Sequence, residues 1–175
     1  MEKCFGSFDG ASTMAGTLSG VQATCKENNS KILYVHCYAH CLNLALVAAC
    51  SSQRGNKLIF DFFGVVQFTY SFIEGSCVRH AVFETIAKEM NNSVKHLKSL
   101  STARWACRAE AVSAIKENYK AIVLAIEDIL QNTTHAVIRA KGRGSLFQLK
   151  SFEFIACLHI VNPILQIILK VNKDL

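Results

Sequence analysis

The chain has 175 residues, of which 51% are hydrophobic and 18% are charged. This composition supplies enough apolar surface for a folded core and too little charge for a disordered chain. A single proline, Pro163, excludes a proline-rich linker, and nine scattered glycines with abundant Ala, Leu, Ile and Lys favour helices over a sandwich or barrel. The net charge of +6 is compatible with phosphate contacts without requiring them.

Two further features bear on the cellular compartment. Eight cysteines are scattered without a paired framework, and the N-terminus, MEKCFGSFDG, has no hydrophobic signal stretch. We therefore expect reduced thiols in an intracellular protein. The most hydrophobic segment, 152–171, is interrupted by five residues that a membrane span rarely accommodates together: Glu153, His159, Asn162, Pro163 and Gln166. This pattern favours a buried core helix over a membrane span.

The first forty residues or so show an α/β pattern, and a helical segment follows them. The glycine-rich stretch 5–10 predicts the end of a strand, and Ser19 is a candidate N-cap for a helix over 20–27. The β-branched and aromatic run 31–36 predicts a buried strand. The apolar segment 40–50 predicts a helix that is buried on all sides.

The remaining sequence is mainly helical in pattern. Apolar residues at three-to-four spacing predict helices at four places: 58–73, 78–90, 106–129 and 147–171. The aromatic content of 58–73 leaves a strand as an alternative there, and Pro163 indicates a kink in the last helix. Segment 133–144 predicts a polar connection with a basic cluster, which is formed by Arg139, Lys141 and Arg143 with Lys150 nearby.

The predicted fold class is therefore mainly α with a small α/β corner. We place a strand–helix–strand segment at residues 1–38 and an all-helical region at 39–175. Two short strands do not form a stable sheet alone, so we expect the rest of the sheet to come from preceding sequence or from elsewhere.

Three stretches occur in order along the chain: FDGASTM at 8–14 followed by Gly20-Val21, VHCYAHCLNL at 35–44, and STARW at 101–105. Together they resemble the hAT transposase superfamily, especially its domesticated relatives such as the MYM-type zinc-finger-like proteins. The resemblance covers nearly the whole chain. It implies a partial ribonuclease-H-like sheet followed by a helical insertion, in a nuclear, transposase-derived protein.

The resemblance places Asp9 at the second catalytic aspartate of a ribonuclease-H-like site. Carboxylates suit such a site because Mg²⁺ prefers oxygen ligands and two metal ions can activate an attacking hydroxyl. On residue pattern alone, Asp9-Gly10 is a turn. The family's other two acids have no counterpart, because Met1 lies just before Asp9 and the chain ends within the insertion, while Glu127 and Glu153 stand in a different context. We expect Asp9 to be a vestigial, weak metal ligand and the chain to be inactive.

Cys37 and His40 match the family's Cys-x-x-His feature. With the flanking His36 and Cys41 they form a candidate zinc cluster, although structural zinc commonly takes four ligands from two separated pairs and no second pair is present. The preferred interpretation is structural, with a buried thiol and a hydrogen-bonded imidazole that lock strand to helix. Cys41 departs from the family, in which a basic residue is frequent at this position.

Arg104-Trp105 resembles the family's Arg-Trp motif, which implies a tryptophan that stacks on an unstacked base and a guanidinium that pairs with phosphate. The alternative is that this single tryptophan anchors the core at a helix start capped by Thr102. The basic cluster is either a second DNA contact or a solvated loop.

The expected function is that of a catalytically inactive, hAT-derived scaffold in the nucleus. Its expected partners are DNA, or itself and related transposase-like proteins, with no membrane and no small-molecule substrate. Three alternatives stay open: a truncated sequence of an active hAT transposase with a two-metal DDE site, a small zinc-binding module, and a helical protein without a nucleic-acid role.

Overall fold

The computed structural model describes residues 5–8, 12–16, 19–51, 56–90, 95–100 and 105–174. Its N-terminal part contains β1 (Phe5–Phe8), α1 (Ser12–Ala15), α2 (Val21–Asn28) and β2 (Leu33–His36). The two strands pair in parallel, with Phe5 opposite Leu33 and Phe8 opposite His36. A parallel pair needs a crossover, and here the crossover contains α1 and α2.

The helix expected over 20–27 is α2, but its N-cap is Gly20 and not Ser19. A Cβ atom at Gly20 would lie 2.5 Å from the backbone nitrogen of Gly16. Glycine is therefore required at this position by the close approach of two backbone segments.

Apart from segment 95–100 and the short connections, the rest of the described chain is helical, which confirms the mainly α fold class. The helices are α3 (Tyr38–Ser51), α4 (Lys57–Glu74), α5 (Cys77–Met90), α6 (Trp105–Glu117), α7 (Tyr119–Asn132), α8 (Ala136–Leu149) and α9 (Phe152–Asp174).

Helix α4 forms one wall of the core. It is a continuous helix, so the strand alternative for 58–73 is wrong. Its first turn is capped by Asn56, whose side-chain oxygen accepts a hydrogen bond from the Ile59 amide at 3.2 Å. The helical repeat places six residues on one buried face, formed by Phe62, Phe63, Val66, Thr69, Phe72 and Ile73.

The single helix expected over 106–129 is divided at Asn118 into α6 and α7. The side-chain amide of Asn118 donates to the carbonyls of Lys95, at 2.7 Å, and Ala114, at 3.0 Å. Asparagine competes for backbone partners in this way, which disfavours a regular helix interior. The apolar stripe still continues across the break, because Ile115 and Ile122 are both fully buried.

The predicted polar connection at 133–144 is wrong, because most of it belongs to α8. Gly142 is buried in that helix, and a Cβ there would lie 2.8 Å from Leu130 Cδ2 and 3.3 Å from Phe72 Cζ. The expected helix 147–171 is also divided, between α8 and α9. Ser151 marks the division, since its hydroxyl oxygen accepts a hydrogen bond from the Phe154 amide at 3.1 Å.

Helix α9 is buried on one face only, so the expected buried core helix is found in part, with 28% of 152–171 buried. The buried face consists of Phe154, Cys157, Leu158, Val161 and Leu165. Its large exposed apolar residues are Phe152, Ile155, Ile160, Ile164, Ile167 and Val171. By length and composition, 152–171 is also the one span in the described residues that could cross a membrane.

Helix α3 was expected to be buried on all sides, and this prediction is wrong. Tyr38 is 71% exposed and Leu44 is 52% exposed. The helix contacts α4 and α6, which cover part of its apolar circumference and leave the rest open.

Candidate functional site

The carboxyl ends of β1 and β2 lie at the same edge of the two-stranded sheet, because the strands are parallel and Phe8 pairs with His36. The motif residues Cys37 and His40 follow β2 directly. Asp9 follows β1 in the sequence but lies outside the described residues. The register therefore places the ends of both strands, Phe8 and His36, at one edge.

Cys37 connects β2 to α3. Its backbone carbonyl accepts a hydrogen bond from the Cys41 amide at 3.0 Å, which closes the first turn of α3. Cys37 and His40 are half-buried, while His36 and Cys41 are exposed. Within the described ranges, no three His, Cys, Asp or Glu side chains are grouped so that they could hold a metal ion. Cys37 and His40 lie where a strand joins a helix, and the Cys37 thiol is half-buried, whereas a buried thiol was expected.

Trp105 is the first residue of α6, and Arg104 lies outside the described residues. Helix α6 contacts α3, which starts directly after Cys37. One turn further along, Arg108 is buried, with its Cζ 5.0 Å from the centroid of the Phe63 ring. The packing of α6 on α3 places the helix of the Arg-Trp motif against the helix of the Cys-x-x-His motif.

The basic cluster lies on α8. Arg139 donates to the Thr133 carbonyl at 2.8 Å, and Lys150 forms an ion pair of 2.6 Å with Glu127. Lys141 and Arg143 are exposed. Because α8 is a helix and not a loop, these cations are held on a regular surface.

A second group of cations was not selected as a site from the sequence. Lys116 and Lys120 flank the α6–α7 division and share a groove with His159 of α9. In the sequence, the positions of Lys116 and Lys120 indicate only that both lie on the solvent-facing side of the predicted helix 106–129. Nothing in the local pattern indicates that α9 meets them, since His159 lies about forty residues further along the chain.

No protein-family model and no solved structure matches this chain.

Proposed function

We propose that this chain is a hAT-transposase-derived segment that acts in the nucleus as a scaffold for DNA or protein contacts and does not cut DNA itself. The observation that carries the proposal is the parallel register of β1 and β2. It supports the expected ribonuclease-H-like corner, because in such a corner the segments after both strands emerge at one edge.

The exposed apolar surface of the α/β corner supports a scaffold role. A two-stranded sheet is marginal by itself, and α3 beside it leaves Tyr38 and Leu44 largely exposed. Apolar surface of this kind is stabilised when further protein covers it. The corner thus suits a segment that works within a larger sheet or against a partner.

We assign binding without DNA cleavage because the described residues do not bring several carboxylates together. Two-metal cleavage needs several carboxylates around one point. No such group occurs among the residues that the structure describes, and Asp9 lies outside them. The described residues do not fit a magnesium site, so no catalytic step is assigned to this chain.

The single tryptophan provides a direct test of DNA contact. We expect single-stranded DNA to quench the fluorescence of Trp105 if its indole stacks on bases. Trp105→Ala is then expected to weaken binding by about 1–3 kcal/mol, or roughly 5- to 150-fold in Kd. Trp105→Phe is the matched control, because phenylalanine keeps a ring for stacking. Unchanged fluorescence, with equal affinity for Trp105→Ala, would overturn the DNA-stacking role.

The same variants separate stacking from a core role. A tryptophan that anchors the core would lower the Tm strongly on replacement by alanine, without a selective loss of DNA affinity. Arg104→Ala is expected to reduce affinity and salt dependence if the guanidinium pairs with a phosphate.

Two assays address the alternatives. A nicking assay with Mg²⁺, compared between the chain and Asp9→Asn, would contradict the inactive assignment if the chain cleaves and the variant does not. Metal analysis of the purified protein tests the zinc module, since stoichiometric zinc that is lost in Cys37→Ser would favour that module.

A fluorescent fusion tests nuclear localisation, which an exclusively cytoplasmic signal would contradict.

A further inference from the structure

A groove lies where the division between α6 and α7 meets α9. Its volume is about 300 Å³, and it is lined by Lys116, Glu117, Tyr119, Lys120, Ile155, Leu158 and His159. This volume lies at the lower end of the range for small-ligand sites, roughly 300–1,000 Å³.

The groove has an excess of positive charge. Glu117 forms an ion pair of 2.6 Å with Lys95, which offsets part of its negative charge. Lys116 and Lys120 form no ion pair with any residue in the described part of the chain, whereas Lys57, Lys88 and Lys150 each do. Two lysines that form no ion pair in the described residues, and that line one groove from either side of the α6–α7 division, favour an anionic ligand.

His159 adds a directed polar group at the same place. Its Nδ1 lies 2.9 Å from the carbonyl oxygen of Ile155. Because a carbonyl only accepts, Nδ1 must carry the hydrogen, which leaves Nε2 to accept from a ligand N–H or O–H.

The floor of the groove is apolar. Leu158 is 2% exposed and Ile155 is 36% exposed. The Tyr119 ring is held in place because its hydroxyl donates to the Leu149 carbonyl at 2.9 Å. A ligand that fits this groove has an anionic group, which contacts the lysines, and a flat, weakly polar body, which packs on the apolar floor.

We propose that this groove binds a nucleotide unit, with its phosphate between Lys116 and Lys120 and its base against Ile155 and Tyr119. The nucleotide is either free or part of a nucleic-acid strand, since both present the same chemistry. This inference goes beyond the function proposed above, because it assigns a contact that uses neither Arg104 nor Trp105.

The test compares two double variants of equal net charge. Lys116→Gln/Lys120→Gln removes the unpaired cations, and Lys57→Gln/Lys88→Gln removes two exposed, ion-paired lysines elsewhere. Amide chemical shifts are followed by NMR during titration with inorganic phosphate, adenosine, adenosine monophosphate and a twelve-residue oligothymidylate. Circular dichroism confirms that each variant folds.

We expect shifts confined to residues around 116–120 and 155–159 on adding the monophosphate or the oligonucleotide, with adenosine alone binding about tenfold more weakly. The first double variant should weaken binding about tenfold and lower the salt dependence by roughly one phosphate contact, while the control changes little. Saturation by the monophosphate indicates a free-nucleotide site, and preference for the oligonucleotide indicates a strand site.

Equal affinities of the two double variants, or shifts elsewhere with none at this groove, would overturn the proposal. The outcome is separable from that for Trp105. If Trp105→Ala binds DNA normally and Lys116→Gln/Lys120→Gln does not, the groove proposal stands and the stacking proposal fails.

Discussion

The side-chain amide of Asn118 donates a hydrogen bond of 2.7 Å to the backbone carbonyl of Lys95. Asn118 is 5% exposed and also donates to Ala114. One buried amide thus connects the break between α6 and α7 with the start of segment 95–100. This segment has no regular secondary structure.

We expect Asn118→Ala to destabilise the protein by about 0.5–1.5 kcal/mol, because it removes the side-chain donor to the Lys95 carbonyl, whereas the Ala114 carbonyl keeps its hydrogen bond from the Asn118 backbone amide. Asn132→Ala is the control, since Asn132 bonds Asp128 on an exposed surface. The free energy of unfolding, measured in urea, should fall clearly for the first variant and little for the second. Equal losses would contradict the role assigned to Asn118.

The two faces of α9 predict opposite responses to alanine. Leu158 is 2% exposed and Ile160 is 62% exposed. Leu158→Ala should cost about 2–5 kcal/mol through lost burial and the resulting cavity, whereas Ile160→Ala should stay within about 0.5 kcal/mol. Thermal or chemical denaturation of both variants measures the contrast. A large loss for Ile160→Ala would show that this face is covered in solution.

The glycines of α8 provide a second matched pair. No atom lies within 4 Å of a Cβ built at Gly144, whereas Leu130 and Phe72 crowd a Cβ at Gly142. Gly144→Ala should therefore stabilise by about 0.5–1 kcal/mol, the difference in helix propensity. Gly142→Ala should gain less or lose stability, because Leu130 must shift. A higher Tm for Gly142→Ala than for Gly144→Ala would reverse this order.

Burial raises the pKa of the Cys157 thiol above its ordinary value, and the nearby Glu153 carboxylate raises it further. A raised pKa leaves less thiolate at a given pH, and the thiolate is the species that is alkylated. In native protein at pH 8, iodoacetamide should therefore modify the exposed Cys41 and Cys77 well before Cys157. Peptide mass spectrometry follows each site.

Raising the pH should speed the reaction of Cys157 as its pKa is approached, and denaturant should remove its protection. Because the folded pKa is raised, protonation of this thiol supports the folded state fully below pH 9.0 and progressively less above it. Modification of Cys157 as early as Cys41 at pH 8 would contradict its burial.

The sequence predicts an element correctly where the spacing of its apolar residues matches the repeat of the helix or strand that forms. Segment 58–73 forms α4, and the run 31–36 contains β2. The helix α8 was missed because Gly142 and Gly144 lower its helix propensity. Packing of Gly142 against Leu130 and Phe72 stabilises α8, and that contact cannot be inferred from local pattern.

The candidate sites were predictable to different degrees. The motifs selected Cys37, His40 and Trp105, and the first two follow β2 at the sheet edge where β1 also ends. Their chemical roles are not fixed by their sequence spacing. The nucleotide groove could not be predicted, because its cations come from the α6–α7 division and His159 comes from another helix.

The outward row of isoleucines on α9 has a consequence for handling the protein. Ile160, Ile164 and Ile167 each present at least half of their surface to water. Sulfate is excluded from protein surfaces and strengthens apolar contacts. Ammonium sulfate should therefore retain the folded chain on a phenyl resin, and elution should follow when the salt is lowered. Polar substitutions in this row should shorten that retention without unfolding the molecule.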